Sequence, residues 1–234
     1  MKLVKNLIKK IDSHLFDKLF QDIISRNTFK NFKLDKKHIS DIQRWIFFFE
    51  KIHKNNIPGD IVECGVGNGV SLSIICYLKN YYNLNTNIYA CDSFKGFPTP
   101  NKVDFLKRKH KKKDWSHANI NYVKQNLKNF GILQNQINDV KFISGYFEDT
   151  LRNLNLSKIS LLHLDCDLYN SYKTCFDNLS KKISPKGIIV LDEYFENNDN
   201  NPFPGAVLAT NEYLDNSNSK ISFINEKGYV FNDK

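Results

Sequence analysis

The chain has 234 residues, of which 41% are hydrophobic and 25% charged, and its formal net charge is +9. These values are typical of a globular protein and exclude a disordered or collagen-like chain. No apolar run approaches the roughly 20 residues that span a bilayer, and lysines interrupt the apolar positions near the N-terminus. Five cysteines without any C-x-x-C spacing are typical of buried thiols in a reducing compartment. We therefore expect a cytoplasmic protein with no membrane span.

The positive charge is concentrated in two segments, residues 1–38 and the run KRKHKKK at 107–113. Such a run is usually a solvated loop, and its functional alternative is attraction of an anionic acceptor or surface. Aromatic residues are not interleaved with these charges, and no nucleic-acid-reading motif is present. The sequence therefore predicts no nucleic-acid partner.

Residues 1–55 are predicted to be helical, because apolar side chains such as Ile42, Ile46 and Phe49 recur at near-helical spacing. The dipeptide Pro58-Gly59 then ends the pattern. We accordingly divide the chain into a helical N-terminal extension or lid over 1–55 and a main domain over 56–234.

Short apolar strands alternate with helical patterns after this break. Strands are predicted at 60–64, 87–91, 140–143, 159–164, 187–191, 221–225 and 229–231. Helices are predicted at 70–82, 122–129, 146–155 and 170–183, with a polar excursion at 97–118. The alternation predicts an α/β fold with a seven-stranded, mostly parallel sheet. The sheet is predicted to end in an antiparallel C-terminal hairpin, whose turn we place at 226–228.

A glycine-rich turn, ECGVGNG, lies between the first strand and the following helix. Gly65 and Gly67 allow a tight turn and close approach to a ligand, and Gly69 allows close helix–strand packing. Asp92 ends the next strand, where a carboxylate accepts bonds from ribose hydroxyls. The spacing differs from the G-x-G-x-x-G of dinucleotide sites, and Glu63 suits a nucleoside that carries an amino acid. The turn therefore favours S-adenosylmethionine.

Four carboxylates follow the fourth and fifth strands: Asp165, Asp167, Asp192 and Glu193. If these strands are neighbours, the four groups converge at one end of the sheet, where open α/β sheets bind ligands. Like charges this close need raised pKa values or a bound cation, and oxygen ligands suit Mg²⁺. The alternative is that the acids cap helices and bind water, and Asp167, just before a helix, is most open to it.

Several sequence blocks occur in an order that resembles one known family. Between about residues 57 and 215 they are PGDIVECGV, ACDSFKGFP, GYFEDTL, LHLDCDLY, DEY and PGA. Together they resemble the macrocin O-methyltransferase family, whose members use S-adenosylmethionine to methylate sugar hydroxyls on antibiotics and other glycosylated products.

The resemblance implies a class I methyltransferase (Rossmann-like) fold, S-adenosylmethionine and Mg²⁺. It places the metal ligands on Asp165, Asp192 and Glu193 and the general base on Asp167. Family members commonly carry aspartate where this chain has Glu193. The donor-binding residues it implies, to which we add Gly69 and Asp165, are Glu63, Gly65, Val66, Asp92, Ser93, Gly145, Tyr146 and Phe147.

The resulting hypothesis is a metal-dependent O-methyltransferase acting on a sugar hydroxyl of a glycan or glycosylated metabolite. The basic segments favour an anionic or nucleotide-linked acceptor, and a homodimer is the default assembly. One alternative is a nicotinamide-dependent oxidoreductase, which would give the acidic residues no role. Another is a non-catalytic nucleoside-binding or membrane-surface module, which would use the basic helix expected at 2–11.

Overall fold

The computed structural model describes residues 13–25, 36–105, 111–217 and 219–232. The basic helix expected at 2–11 and residues 107–110 of the lysine-rich run lie outside this part of the chain. No helix within it has the length and apolar character needed to cross a membrane.

The described strands form one seven-stranded sheet in the order β3-β2-β1-β4-β5-β7-β6. Strands β1 to β5 pair in parallel, whereas β7 is antiparallel to both β5 and β6. This topology confirms the predicted sheet and places β4 beside β5. The strands are β1 (Asp60–Cys64), β2 (Ile88–Asp92), β3 (Val140–Ser144), β4 (Ile159–Leu164), β5 (Ile183–Phe195), β6 (Ile221–Ile224) and β7 (Lys227–Phe231).

Helices alternate with the strands along the main part of the chain. They are α1 (Ser13–Ser25), α2 (Lys36–Lys54), α3 (Val70–Tyr81), α4 (Ile120–Asn129), α5 (Gln134–Asn138), α6 (Phe147–Thr150), α7 (Tyr169–Leu179) and α8 (Pro204–Ser217). The helix expected at 146–155 is shorter, because α6 gives way to a 3-10 turn at Leu151–Asn153. Helix α8 was not predicted, because its buried positions are small or polar (Gly205, Ala206, Ala209 and Thr210) and give little hydrophobic periodicity.

Helix α2 is part of the hydrophobic core. Its buried residues Ile42, Trp45 and Ile46 lie in one cluster with Ile61 of β1 and Leu72 of α3. Helix α2, although part of the extension assigned to residues 1–55, therefore packs into the same core as the main domain, and the division of the chain at residue 55 stays a prediction. A lid role for the remaining N-terminal residues stays a prediction.

The C-terminal hairpin turns one residue earlier than predicted. Asn225 and Glu226 have φ values of 50° and 69°, and Ile224 pairs directly with Lys227. Positive φ at both central residues matches the twist of a two-residue hairpin, so no third turn residue is needed. Lys227 consequently belongs to β7, where it is buried. The expectation of buried, unpaired cysteines is confirmed for all five.

Candidate active site

The carboxyl ends of β1, β2, β4 and β5 meet at one edge of the sheet, because these strands are parallel and adjacent. A cavity of about 360 Å³ opens at this edge, between the loops that leave the strands. Its position agrees with the rule that open α/β sheets bind ligands beyond the carboxyl ends of their strands.

The glycine turn forms one wall of the cavity, and each of its three glycines has a different steric environment. A Cβ on Gly65 would lie 1.8 Å from the carbonyl oxygen of Asp165, so the turn can pass the end of β4 only without a side chain. Gly67 has a φ of 50° and no atom within 4 Å of its Cβ position. A Cβ on Gly69 would lie 3.0 Å from Cγ1 of Val123 in α4, so the glycine serves helix–helix rather than the expected helix–strand packing.

Asp92 fixes the glycine turn from the end of β2. Its Oδ2 accepts hydrogen bonds from the backbone amides of Val66 at 2.8 Å and Gly67 at 3.4 Å. Its Oδ1 accepts another from the amide of Phe94 at 2.8 Å. Asp92 also lines the cavity, so one carboxylate both orders the turn and borders the space beside it.

Glu63 lies beneath the turn and does not line the cavity. Its Oε1 accepts a hydrogen bond from Ser71 Oγ at 2.5 Å and lies 3.0 Å from Nδ1 of His163. Burial alone would lower the pKa of His163, but the contact with Glu63 outweighs it and the pKa is raised. Glu63 thereby links the first turn of α3 to β4.

Three carboxylates form a cluster at the other side of the cavity. Asp165, Asp167 and Glu193 each have an oxygen within 4.8 Å of the others. Burial and the negative charge of Asp192 raise the pKa of Asp165 to about 6. Burial and then Asp165 raise the pKa of Glu193 well above its ordinary value. A set of hard oxygen ligands that repel one another in this way fits a divalent cation.

Asp192 is oriented differently from the three clustered acids. Its Oδ1 lies 3.2 Å from Arg44 Nη2 and contacts the ammonium of Lys227 more closely still. Asp41 completes this buried group of charges, 3.3 Å from Arg44 and 3.5 Å from Lys227. Burial acts to raise the pKa of Asp192, but Lys227 and then Arg44 outweigh it and hold the pKa well below its usual range. Asp192 is therefore ionised and fixed.

Asp167 lies at the centre of a three-residue turn. Its φ is 59°, and the amide of Leu168 donates to the carbonyl of Cys166 at 2.6 Å. A γ-turn with positive φ at its centre is the rarer and more strained of the two forms. On the preceding side, the amide of Asp165 donates to the carbonyl of Cys64 at 2.9 Å. The turn presents Asp167 beside Asp165 at the cavity.

Most of the residues expected at the site line this cavity: Gly65, Val66, Asp92, Ser93, Tyr146, Phe147, Asp165, Asp167, Asp192 and Glu193. Glu63, Gly69 and Gly145 do not line it. Glu63 is buried below the turn, and a Cβ at Gly69 or Gly145 would meet the side chain of Val123 or Thr150. Sequence reasoning missed Phe97, Trp115, Phe195, Phe203 and Lys227, which also line it. Trp115 and Phe203 stand in irregular segments, where no hydrophobic periodicity marks them.

Two characterised relatives are similar in sequence. An 8-demethyl-8-(2,3-dimethoxy-α-L-rhamnosyl)-tetracenomycin-C 4′-O-methyltransferase from Streptomyces olivaceus is 29% identical over 163 residues, which cover 68% of this chain and 60% of the relative. A demethyldecarbamoylnovobiocin O-methyltransferase from Streptomyces niveus is 28% identical over the same shares. The chain thus spans about 60% of the length of the relatives it matches.

A solved structure, described as that of the O-methyltransferase NovP, superposes with a TM-score of 0.72 at 25% sequence identity. The match covers 84% of this chain and 81% of that one. The macrocin-O-methyltransferase (TylF) family matches residues 27–217, which contain the glycine turn, Asp92 and all the clustered acids. The chain belongs to the macrocin-O-methyltransferase family.

Proposed function

We propose that this protein is an S-adenosylmethionine- and Mg²⁺-dependent O-methyltransferase that methylates a sugar hydroxyl. The main support for the proposal is that Asp165, Asp167 and Glu193 form a cluster at the same cavity that the glycine turn lines. A donor on the turn and an acceptor at the acids would therefore meet in one space. In a nicotinamide-dependent oxidoreductase, this acidic cluster would have no role.

The donor site uses the turn and the ends of β2 and β3. The turn residues would take the methionine part, Asp92 and Ser93 the ribose, and Gly145, Tyr146 and Phe147 the adenine. All of these residues border the same cavity except Glu63, Gly69 and Gly145, which would act through the neighbouring residues they position. A sulfonium donor also suits the acidic edge, because its positive charge is stabilised by nearby carboxylates.

The acidic residues are suited to hold a divalent ion. Asp165 and Glu193 would be ligands. Burial first, and then a neighbouring carboxylate (Asp192 for Asp165, Asp165 for Glu193), raises their pKa values, and a bound cation would offset both effects. Asp192 would be the third, with its Oδ1 fixed by Arg44 and Lys227 in the way that outer contacts orient metal ligands. When bound, the ion would orient neighbouring acceptor oxygens and lower the pKa of a hydroxyl.

Asp167 would act as the general base. Its carboxylate would take the proton of the attacking hydroxyl. S-adenosylmethionine, when bound, would supply the methyl group to that oxygen and leave as S-adenosylhomocysteine. The leaving group would be a neutral thioether, so no acid catalyst would be required. The aromatic side chains of Phe97, Trp115 and Phe203 would exclude water from this step.

The acceptor would be a sugar on a glycosylated small molecule or glycan, in keeping with the rhamnosyl compound in the name of one relative. The basic segments favour an anionic or nucleotide-linked sugar. The test is transfer of labelled methyl from S-adenosylmethionine, with Mg²⁺, to methyl α-L-rhamnoside, to dTDP-L-rhamnose and to unglycosylated aglycones. We expect methyl ethers on sugar oxygens alone, abolished by chelation. Donor binding with transfer only to nitrogen or to aglycones would contradict the proposal.

The cytoplasmic location and the homodimer rest on sequence reasoning. Cell fractionation would test the first. Light scattering coupled to gel filtration would test the second, with a mass of twice 27.3 kDa expected for the dimer.

A further inference from the structure

Asp104, a buried carboxylate that belongs to no predicted motif, accepts a hydrogen bond from the segment that follows Asp167. Asp104 lies in the 3-10 turn Lys102–Phe105 and is 1% exposed. Its Oδ2 accepts a hydrogen bond from the amide of Asn101 at 2.6 Å, and its Oδ1 accepts one from the amide of Tyr169 at 2.9 Å. One side chain thus joins the polar excursion after β2 to the first residue of α7.

Helix α7 lacks a cap from its own sequence. Its N-cap residue is Leu168, whose side chain cannot accept a hydrogen bond, and the amides of the first turn need acceptors. Asp104 supplies the acceptor for Tyr169 from a distant part of the chain. An ionised carboxylate is also favoured there by the positive end of the helix dipole.

Gly205 makes room for this contact. A Cβ at Gly205 would lie 1.8 Å from Asp104 Oδ1 and 2.9 Å from the amide nitrogen of Tyr169. The requirement is one of space, because the neighbouring atoms are a buried side chain and backbone. The block Pro204-Gly205-Ala206, which neither the donor site nor the metal site uses, therefore has a physical role: it lets Asp104 reach α7.

The Asp104 contact lies directly next to the strained turn at Asp167. Strained backbone persists only where the surrounding structure fixes it from several sides. The bond from Asp165 to Cys64 holds the turn before Asp167, and the bond from Tyr169 to Asp104 holds it after. Without the second bond, the turn loses one of its anchors on the α7 side and keeps the bond from the amide of Tyr172 to the carbonyl of Leu168.

We propose that Asp104 is a positioning residue that holds Asp167 in its reactive orientation, with Gly205 as the space it requires. The inference rests on the proposed function of Asp167 as the base. It assigns a catalytic consequence to a residue that touches neither donor nor acceptor.

The first test needs no acceptor. Alanine at position 104 removes both acceptor oxygens, so D104A leaves the amides of Asn101 and Tyr169 unpaired, and G205A displaces the carboxylate from the other side. Hydrogen exchange should show at least about tenfold lower protection at Leu168 and Tyr169 in both variants. Protection of the later α7 residue Leu179 should be unchanged. The matched control is D60A, since Asp60 accepts a bond from the amide of Asn87 at 3.0 Å at the far end of β1.

Unchanged protection of Leu168 in D104A would overturn the proposal, and so would an equal loss along the whole of α7, which marks general destabilisation. If one of the two variants does not fold, the other decides alone.

The second test separates this proposal from the proposed function. With an acceptor from the panel above, D104A should lower kcat by about 10- to 100-fold with little change in KM. In a D167N background the same change should have no further effect, because the two residues act on one step. An equal loss in both backgrounds overturns the positioning role and leaves the base intact. Wild-type kcat in D167N removes the base instead, and the exchange data then decide whether Asp104 holds the turn.

Discussion

Lys227, at the start of β7, contacts Oδ1 of Asp192 in β5, and its side chain is only 8% exposed. Arg44 of α2 reaches the same oxygen from the opposite end of the chain, at 3.2 Å. Arg44 of α2 and Lys227 of the C-terminal hairpin therefore both fix Asp192, one acid of the candidate site.

The first prediction concerns this buried ion pair. Lys227→Met should lower the free energy of unfolding by about 3–5 kcal/mol, because it leaves the charge of Asp192 less compensated. Denaturant unfolding measures the loss, and Lys111→Met, at an exposed lysine, is the matched control. The double variant K227M/D192N should recover part of the stability. A loss below about 1 kcal/mol for K227M would contradict the assigned role of the pair.

Strong local patterns allowed much of the fold and site to be predicted. The strands have continuous apolar runs, and the acids stand directly after them, so β4 and β5 needed only to be neighbours for Asp165 and Glu193 to meet. The hairpin turn depends on backbone conformation at Asn225 and Glu226, which ordinary residues rarely adopt. Placing Lys227 in that turn concealed its contact with Asp192.

Other parts of the site depend on contacts between distant segments, which single-sequence patterns do not reveal. In the sequence, Asp104 is one of several charged residues in a polar stretch. Its partner Tyr169 is separated from it along the chain by two strands, β3 and β4. Gly205 reads as a helix breaker, although it stands in the first turn of α8. Only the three-dimensional packing of the polar excursion against α7 and α8 brings Asp104, Tyr169 and Gly205 together.

The second prediction compares two glycines of one turn. Gly65→Ala should cost at least about 4 kcal/mol or prevent folding, because its Cβ would overlap the carbonyl of Asp165. Gly67→Ala should cost only about 1–2 kcal/mol, the strain of a positive φ, since its Cβ position is open. Thermal and denaturant unfolding of both variants make the comparison. Similar losses would show that backbone conformation, not crowding, explains Gly65.

The third prediction concerns the donor. Asp92→Ala removes the acceptor of the amides of Val66 and Phe94 as well as the carboxylate expected at the ribose. Affinity for S-adenosylhomocysteine should fall by about 1.5–3 kcal/mol, the usual loss for a hydrogen bond to a charged group. Calorimetry measures it, and Asp60→Ala, at the opposite end of the sheet, should bind normally. An unchanged affinity in a folded variant would exclude Asp92 from the donor site.

The fourth prediction is a pH dependence of metal binding. The folded pKa of Asp165, about 6, is above its unfolded value, so the metal-free fold binds a proton here more tightly than the unfolded chain. The stability this group contributes is full below about pH 4 and is lost as the pH rises to about 6. A cation must displace this proton, and the one that the raised pKa of Glu193 retains, so affinity for Mn²⁺ should fall at least about tenfold from pH 7 to pH 5.

Titration by electron paramagnetic resonance measures this affinity, with circular dichroism showing that the protein stays folded. D165N should lose the strong site at both pH values. A wild-type affinity independent of pH would mean that Asp165 is not a ligand.

The last prediction separates base from ligand within the turn after β4. Asp167→Asn keeps the shape and hydrogen bonding of the side chain but cannot accept the hydroxyl proton. Its kcat should fall by roughly 10²–10⁴, the usual contribution of a general base, while affinities for Mn²⁺ and donor stay within about twofold of wild type. Asp165→Asn should instead lose metal binding and turnover together.

Single-turnover rates and metal titrations on both variants distinguish these outcomes. The distinction matters because Asp167 lies in the same 4.8 Å cluster as Asp165 and Glu193, whereas Oδ1 of Asp192 is held by two cations. Equal loss of metal affinity in both variants would make Asp167 a ligand in place of Asp192. The proton would then have to pass to another group at the cavity. A near wild-type kcat in D167N with metal affinity retained would remove Asp167 from both roles.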